Sequence, residues 1–206
     1  MKLIVISDPV YFKDEAYLVN QLFEAGMPLF HLRKEGFNKQ AYAELIDGID
    51  KCYHDRIALH QFHELVLDFP SVNRLHYPEW LRKETAAKGQ PIDVDNYTLS
   101  TSIHHLDDME DLIGFEYTFY GPVFNSISKP GYAGIANLDF VLPTYIGSTR
   151  VIALGGITVE KTQAIQQMGF DGFAVLGAIW SKREIAISNL KLLINNNKQT
   201  STKSFN

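Results

Sequence analysis

Val151-Ile-Ala-Leu-Gly-Gly-Ile157 is an apolar run that ends in two glycines, with Thr158 behind them where a helix is expected to start. An unbroken apolar stretch of this kind reads as a strand buried on both faces. Gly155 and Gly156 let the backbone approach a ligand closely, and a helix capped by Thr158 would aim free N–H groups at it, which makes an anion site. The plan repeats one helix later, where Gly172-Phe-Ala-Val-Leu-Gly-Ala-Ile179 runs into Leu176 and Gly177. Two such strands with a single helix between them match the phosphate site on the last two loops of a (β/α)8 barrel. Either glycine segment alone is equally compatible with a helix-packing turn in another α/β protein.

Working outward, Leu3-Ile-Val-Ile-Ser7, bounded by Asp8-Pro9, is a first buried strand. The spacing of apolar residues predicts a helix over 15–25 stopped by Gly26, a second strand Leu29-Phe-His-Leu-Arg33, and a longer helix over 39–54 that holds Cys52 in its packing. Ile57-Ala-Leu59 is a short third strand with His60-Gln61 at its end, and a brief helix around Leu65 and Val66 is broken by Pro70. A fourth strand over 73–76, a helix over 78–88, a β-branched fifth strand over 97–103, a short acidic helix over 106–113 and a sixth strand over 116–120 follow. Residues 124–137 show little periodicity and read as a functional loop. A helix over 138–146 precedes the seventh strand, a helix over 159–168 precedes the eighth, and a last helix covers 182–195. Strict alternation of eight strands with helices implies a parallel sheet, and the count favours one single-domain α/β (β/α)8 TIM barrel over 1–195, with 196–206 as a disordered C-terminal tail. No G-x-G-x-x-G follows the first strand, which weakens a dinucleotide-binding open sheet.

The composition excludes several classes. A formal charge of −5 over 206 residues gives no basic field for nucleic acid, and no apolar stretch is long enough to span a membrane. One cysteine allows neither a disulfide framework nor a thiolate metal cluster, and a start directly on a strand-like run gives no sign of a signal peptide, so the expected location is cytoplasmic.

In a barrel the functional groups lie where strands end. There the chain carries His31 with Arg33 and Lys34, His60 with Gln61, His76, Ser102 with His104, and Ser126, Ser128 and Lys129. Arg33, Lys34, the hydroxyls and Lys129 suit a phosphorylated substrate, since guanidinium forks and hydroxyls match phosphate oxygens. Five of the seven histidines, counting His63, fall at expected strand ends, where neutral imidazole can exchange protons near pH 7. For each alone, a structural hydrogen bond is as good a reading. No H-x-H or H-E-x-x-H spacing is present, so no metal site is assigned.

His31-Leu-Arg33, Ser102-Ile-His104, Tyr120-Gly-Pro-Val-Phe-Asn-Ser-Ile-Ser-Lys129, Ala153-Leu-Gly-Gly-Ile157 and Gly169-Phe-Asp-Gly-Phe-Ala-Val175, in this order and spacing, resemble the thiamin phosphate synthase and TenI superfamily. The resemblance implies a (β/α)8 barrel that binds hydroxyethylthiazole phosphate on its last two loops, with Ser126, Ser128 and Lys129 standing where the synthases have Thr-x-Thr-Lys. It also implies departures. Synthases join thiazole phosphate to a pyrimidine diphosphate using Mg²⁺ held by two aspartates, one in an Asn-Asp pair after the third strand and one after the fourth. Here the pair is His60-Gln61, and the second region offers only Glu79, out of register. The synthase pattern Gln-x-Arg-x-Lys becomes His31-Leu-Arg33-Lys-Glu35, which places a repelling carboxylate near a diphosphate. Loss of hard oxygen ligands resembles the TenI branch, which includes thiazole tautomerases needing phosphate anchoring and a general acid/base but no metal cofactor. The tautomerase histidine of the G-x-V-F segment is Pro122 here, so the proton falls to His104 first, then His76, with His60 and His31 behind them. The phosphate contacts expected are Arg33, Ser102, Ser126, Ser128, Lys129, Gly155, Gly156, Leu176 and Gly177. Three functions follow: a tautomerase-like enzyme without cofactor, a synthase in which Mg²⁺ would be needed, and a non-catalytic binder of a phosphorylated thiazole. Each leaves a homo-oligomer open.

Overall fold

The computed structural model describes residues 1–89, 92, 93, 95–125, 140–143 and 147–202, the last four as helical backbone. Eight parallel strands close a barrel in sequence order: β1 (Lys2–Ile6), β2 (Phe30–Leu32), β3 (Ile57–Leu59), β4 (Arg74–Tyr77), β5 (Thr98–Ile103), β6 (Tyr117–Tyr120), β7 (Arg150–Leu154) and β8 (Gly172–Val175). Outside it lie α1 (Glu15–Glu24), α2 (Lys39–Asp47), α3 (Glu79–Ala87), α4 (Thr162–Gln167), the short α5 (Gly177–Trp180) and α6 (Ala186–Thr202). The main core sits between strands and helices, where Leu3, Val5, Phe30, Leu32, Ile57, Leu59 and Phe173 meet Leu22, Phe23, Ile46 and Leu190.

A strand's side chains alternate between its two faces, so a barrel strand with an apolar outer face can carry different chemistry inward. Ile4, Ile6, Tyr117, Phe119, Ile152 and Ala174 form a second, interior apolar cluster, with Leu154 and Leu176 packed on it. Register places His31 beside Ile6 and Ala58, His76 beside Ser100, and Ser100 beside Tyr117. The continuous apolar character of β1 and β7, buried on both faces, is why these strands are legible without alternation.

The structure corrects several boundaries. The helix expected over 39–54 ends at Asp47 and is followed by a 3-10 segment, Lys51–Arg56. Gly48 caps the end of α2, and a Cβ there would lie 2.8 Å from the Cβ of Ala16, so a glycine is needed where the chain leaves α2 against α1. Cys52, expected to pack, is exposed in that 3-10 segment. The acidic helix over 106–113 is a 3-10 segment, Leu106–Asp111, as is the turn His63–Leu67. Of the helix expected over 138–146, residues 140–143 are not helical and the rest lie outside the described residues. The last helix continues to Thr202, through most of the segment read as a tail. Its polar side chains find partners: Asn196 Nδ2 donates to Val159 O at 2.8 Å and Asn197 Nδ2 to Met1 O at 2.7 Å.

Candidate active site

Three of the four candidate histidines meet inside the barrel. His31 projects inward from β2, His76 from β4, and His60 follows β3 directly, its N–H donating to Leu32 O at 3.1 Å. His31 Nδ1 lies 2.8 Å from His60 Nε2, and His31 Nε2 lies 2.7 Å from the Tyr117 hydroxyl. His76 Nδ1 lies 2.9 Å from Ser100 Oγ. The His60 and His76 rings stack, centroids 3.9 Å apart and planes 20° from parallel, and Phe119 packs against His31 and His76. All three histidines are buried. Burial disfavours the charged form, and neighbouring positive groups, Arg33 among them for His60 and His76, add to it. His31 and His60 are pushed well below the usual imidazole range and His76 to about 3, so all three are neutral at pH 7.

His104 is elsewhere. It is 67% exposed at the rim after β5, where its Nδ1 bonds the Glu79 carboxylate. Lys83 Nζ donates to the other Glu79 oxygen at 2.5 Å, and the Glu79 N–H donates to Ser102 Oγ at 3.3 Å. Partial burial opposes ionisation of Glu79, but the hydrogen bonds from Lys83 and His104 outweigh it and hold the carboxyl down to about 2. Ser102 is thus engaged with the start of α3. His63 Nε2 donates to the His76 carbonyl at 3.0 Å, outside the imidazole cluster.

One nitrogen from each of His31, His60 and His76 lies within 4.8 Å of the others, close enough to raise the question of a metal. Ring geometry answers against it. An ion sits about 2.0–2.1 Å from an imidazole nitrogen along its in-plane lone pair. Two rings stacked 20° from parallel run those lone pairs side by side rather than toward one point.

Across the barrel, β7 and β8 end in the glycine loops. Gly155 and Gly156 have φ of +101° and +62°, the left-handed region that favours glycine. Among the described residues their N–H groups donate no hydrogen bond. The helix reading beyond them needs correction: Thr158 makes no side-chain cap, and a 3-10 turn, Val159–Lys161, intervenes before α4. Lys161 folds back instead, Nζ donating to Gly156 O at 2.7 Å and lying 4.6 Å from the Phe124 ring centroid. A Cβ on Gly156 would lie 2.5 Å from Asn125 O, so this glycine also permits close packing of the loop after β6. Gly177 opens α5 directly after Leu176, and a Cβ there would meet only Ser181 Oγ, at 3.4 Å.

Arg33 is exposed at the end of β2, its backbone pinned by Ser7. Lys34, expected beside it as a phosphate ligand, turns outward and is buried in an ion pair with Glu15, Nζ to Oε1 2.5 Å, and donates to Asp8 O at 2.8 Å. Ser126, Ser128 and Lys129 lie outside the described residues.

The Mg²⁺ site implied by the sequence resemblance does not fit these donors. Gln61 is a neutral amide spent on stapling the β2 loop, accepting from Lys34 N–H at 3.0 Å and donating to Lys34 O at 2.9 Å. Glu79 is neutralised by Lys83 and His104, and Asp8 by Arg183 at 2.7 Å. A hard, slowly dehydrating cation needs several carboxylate oxygens free to coordinate it, and the carboxylates at these positions are engaged by Lys83, His104 and Arg183.

The family model described as thiamine monophosphate synthase matches residues 3–179. The chain belongs to this family. The thiamine-phosphate synthase of Staphylococcus haemolyticus is 26% identical over 187 residues, covering 81% of this chain and 82% of its own. That of Methanocella arvoryzae is 32% identical over 115 residues, 54% of this chain and 52% of its own, so that match spans about half of each. Among solved structures, thiamine phosphate pyrophosphorylase from Bacteroides thetaiotaomicron superposes with a TM-score of 0.71 at 24% identity, covering 96% of this chain and 98% of that one. At that identity the likeness speaks for the fold. Among the described residues no helix is long and apolar enough to cross a membrane.

Sequence reasoning named His31, His60 and His76 separately but not their convergence, and it missed Ser100 and Tyr117. The available signal was period two: Ser100 and Ser102 on β5 share the inward face with Tyr117 and Phe119 on β6.

Proposed function

We propose that this member of the thiamine monophosphate synthase family binds a thiazole phosphate and moves a proton on it without a metal, as a thiazole tautomerase does. The observation that carries the reading is the stacked, neutral His60–His76 pair in the interior of a closed barrel whose β7 and β8, on the other side of the strand order, end in glycine loops. Phosphate held at Gly155, Gly156, Leu176 and Gly177, with Arg33 and the Ser126, Ser128 and Lys129 segment completing the anion contacts, directs the thiazole ring toward the imidazoles. An anionic ligand there also raises the imidazole pKa values, opposing burial and Arg33 and bringing the bases toward working range. The proton is assigned to His76 and His60 rather than to His104, whose Nδ1 is committed to Glu79 at the rim.

The experiment is turnover of thiazole phosphate carboxylate between its tautomers by the purified protein, with and without a chelator. We expect chelator-insensitive conversion, lowered by ~10² to 10⁴ in His76→Asn and His60→Asn and much less in His104→Asn. The names of the relatives favour a second reading, condensation of thiazole phosphate with a pyrimidine diphosphate. Mg²⁺-dependent condensation near the median enzyme rate of roughly 10 per second would overturn the first reading in favour of it. Tight binding with neither reaction would leave a ligand-binding protein.

A further inference from the structure

The barrel has a second mouth, at the strand starts, and three cations converge there. Lys2 opens β1, Arg74 opens β4 and Arg150 opens β7, and register sets them at the end opposite the glycine loops. These strands are spread around the barrel, yet all three side chains reach one carboxylate, that of Glu116 just before β6. Lys2 Nζ lies 2.7 Å from Glu116 Oε1, Arg150 Nη1 3.4 Å from the same oxygen, and Arg74 Nη1 3.3 Å from Oε2. Two other acids at this end do not balance them: Asp55 pairs with Arg56 at 3.9 Å, and Asp171 Oδ2 accepts the Val151 N–H at 2.8 Å.

The N-terminal face of a (β/α)8 barrel ordinarily serves stability. Three cations on one carboxylate leave an excess of two positive charges, in a chain whose formal charge is −5, and like charges so close repel one another. The crowding is felt at Lys2, where burial holds the ammonium below its usual range and Arg74 and Arg150 push the same way against Glu116. The donors are not exhausted either. Arg74 spends Nε on Asp55 O at 2.7 Å and Nη1 on Glu116, while Arg150, 55% exposed, engages only Nη1 among the described residues. A guanidinium carries five N–H donors, so both forks retain groups matched to phosphate oxygens. Beside them is an open groove of about 420 Å³, lined by Arg150 and Glu116 together with Tyr97, Thr98, Phe115 and Ser148, which is the size of a small-molecule site.

We propose that this end of the barrel is a second anion site, separate from the glycine loops, that takes a small molecule bearing a phosphate group. The phosphate sits on Arg150, Arg74 and Lys2, and the body of the molecule occupies the groove. A phosphate monoester carries a charge of about −1.5 to −2 at pH 7, which matches the local excess, whereas a single carboxylate offsets about half of it. Glu116 has two effects: it gathers the three cations, and it competes with the phosphate for them. The site stands independently of the proton-transfer reading.

The test is a ¹H–¹⁵N NMR titration of the full chain with inorganic phosphate and then phenyl phosphate, at constant ionic strength held with sodium chloride. Saturable shifts are expected at Arg74, Ser148 and Arg150, with a midpoint distinct from that at Gly155, Gly156 and Gly177, and phenyl phosphate is expected to bind this end more tightly than inorganic phosphate. Arg150→Gln is expected to weaken binding here ~10-fold or more, the loss of a charge-assisted hydrogen bond, and to leave the glycine-loop shifts unchanged. Glu116→Gln is expected to act in the opposite direction and tighten it; Arg150→Gln, at an exposed side chain, decides the matter if Glu116→Gln does not fold. Shifts that chloride reproduces, saturation at the glycine loops alone, or parent affinity in both Arg150→Gln and Arg74→Gln overturns the site. Equal affinity for the two phosphates overturns the groove's part in it.

Discussion

The two sides of the barrel interior are made of different chemistry. From β2 to β5 the inward groups are His31, His60, His76 and Ser100, whereas β1, β7 and β8 present Ile4, Ile6, Ile152 and Ala174, with Leu154 and Leu176 at their ends. The apolar side ends in loops whose geometry is set by glycine, and the polar side ends in loops tied by ion pairs and amides. The contrast sets backbone groups on one side of the barrel against side-chain groups on the other, and the proposed function uses the two sides for anchoring and for chemistry respectively.

The largest expected effect lies under the polar side. Lys34 and Glu15 form an ion pair that both sequester from solvent, and burial shifts Lys34 downward and Glu15 upward while their mutual attraction opposes both shifts. Removing one partner strands the other charge, so Lys34→Met is expected to cost about 3–5 kcal/mol. Urea unfolding measures it, and a Lys34→Met protein as stable as its parent would show that the β2 loop does not depend on this pair. The double change Lys34→Met with Glu15→Leu should recover much of the loss.

On the glycine side the comparison is sharpened by two matched substitutions. Gly156→Ala puts a Cβ 2.5 Å from Asn125 O at a φ of +62° and is expected to cost about 1–3 kcal/mol. Gly177→Ala, with ordinary contact only, is expected to stay within about 0.5 kcal/mol in stability. If calorimetry shows equal losses, backbone strain does not distinguish the two loops. If Gly177→Ala keeps its stability and loses affinity for thiazole phosphate, the loop acts on the ligand alone.

The last expected effect is a slope with pH. His76 titrates near 6.5 when unfolded and near 3 when folded, burial being the main cause. Below about pH 6.5 the unfolded state therefore binds more protons, and stability falls as pH drops toward 3, by up to ~1.4 kcal/mol per pH unit for each such histidine. Glu79 contributes in the same direction, but only below its unfolded value of 4.5. Between about pH 5 and 6.5 the histidines dominate, and His76→Asn should flatten the dependence of unfolding free energy on pH there. Identical slopes would mean that His76 is not held neutral by the fold.

How much was legible follows from where each constraint acts. Gly155-Gly156 and the apolar runs of β1 and β7 are local demands on backbone and burial, so the barrel could be read from them. The break at Gly48 depends on a neighbour, Ala16, that only packing brings near. Lys34 could not be assigned because the exposed Arg33 and the buried Lys34 are adjacent in sequence, and only the fold brings Glu15 to Lys34. The imidazole cluster is a tertiary product: His31, His60 and His76 sit on three strands whose alignment is fixed by barrel register rather than by any spacing in the chain. His104 drew attention through its neighbours in sequence, and its exposed place beside Glu79 is set by α3.

The pairing of β1 with β8 has a consequence for how the chain is made. Lys2 aligns with Gly172 and Val5 with Val175, and Trp180 Nε1 then donates to Ile6 O at 2.6 Å. During synthesis the first strand leaves the ribosome with β2 soon available on one side and nothing on the other until the eighth strand emerges. An unpaired, mostly apolar strand edge is a template for wrong partners. Nascent chains stalled before Gly172 should therefore be the aggregation-prone species, and the finished barrel the first state in which that edge is silent.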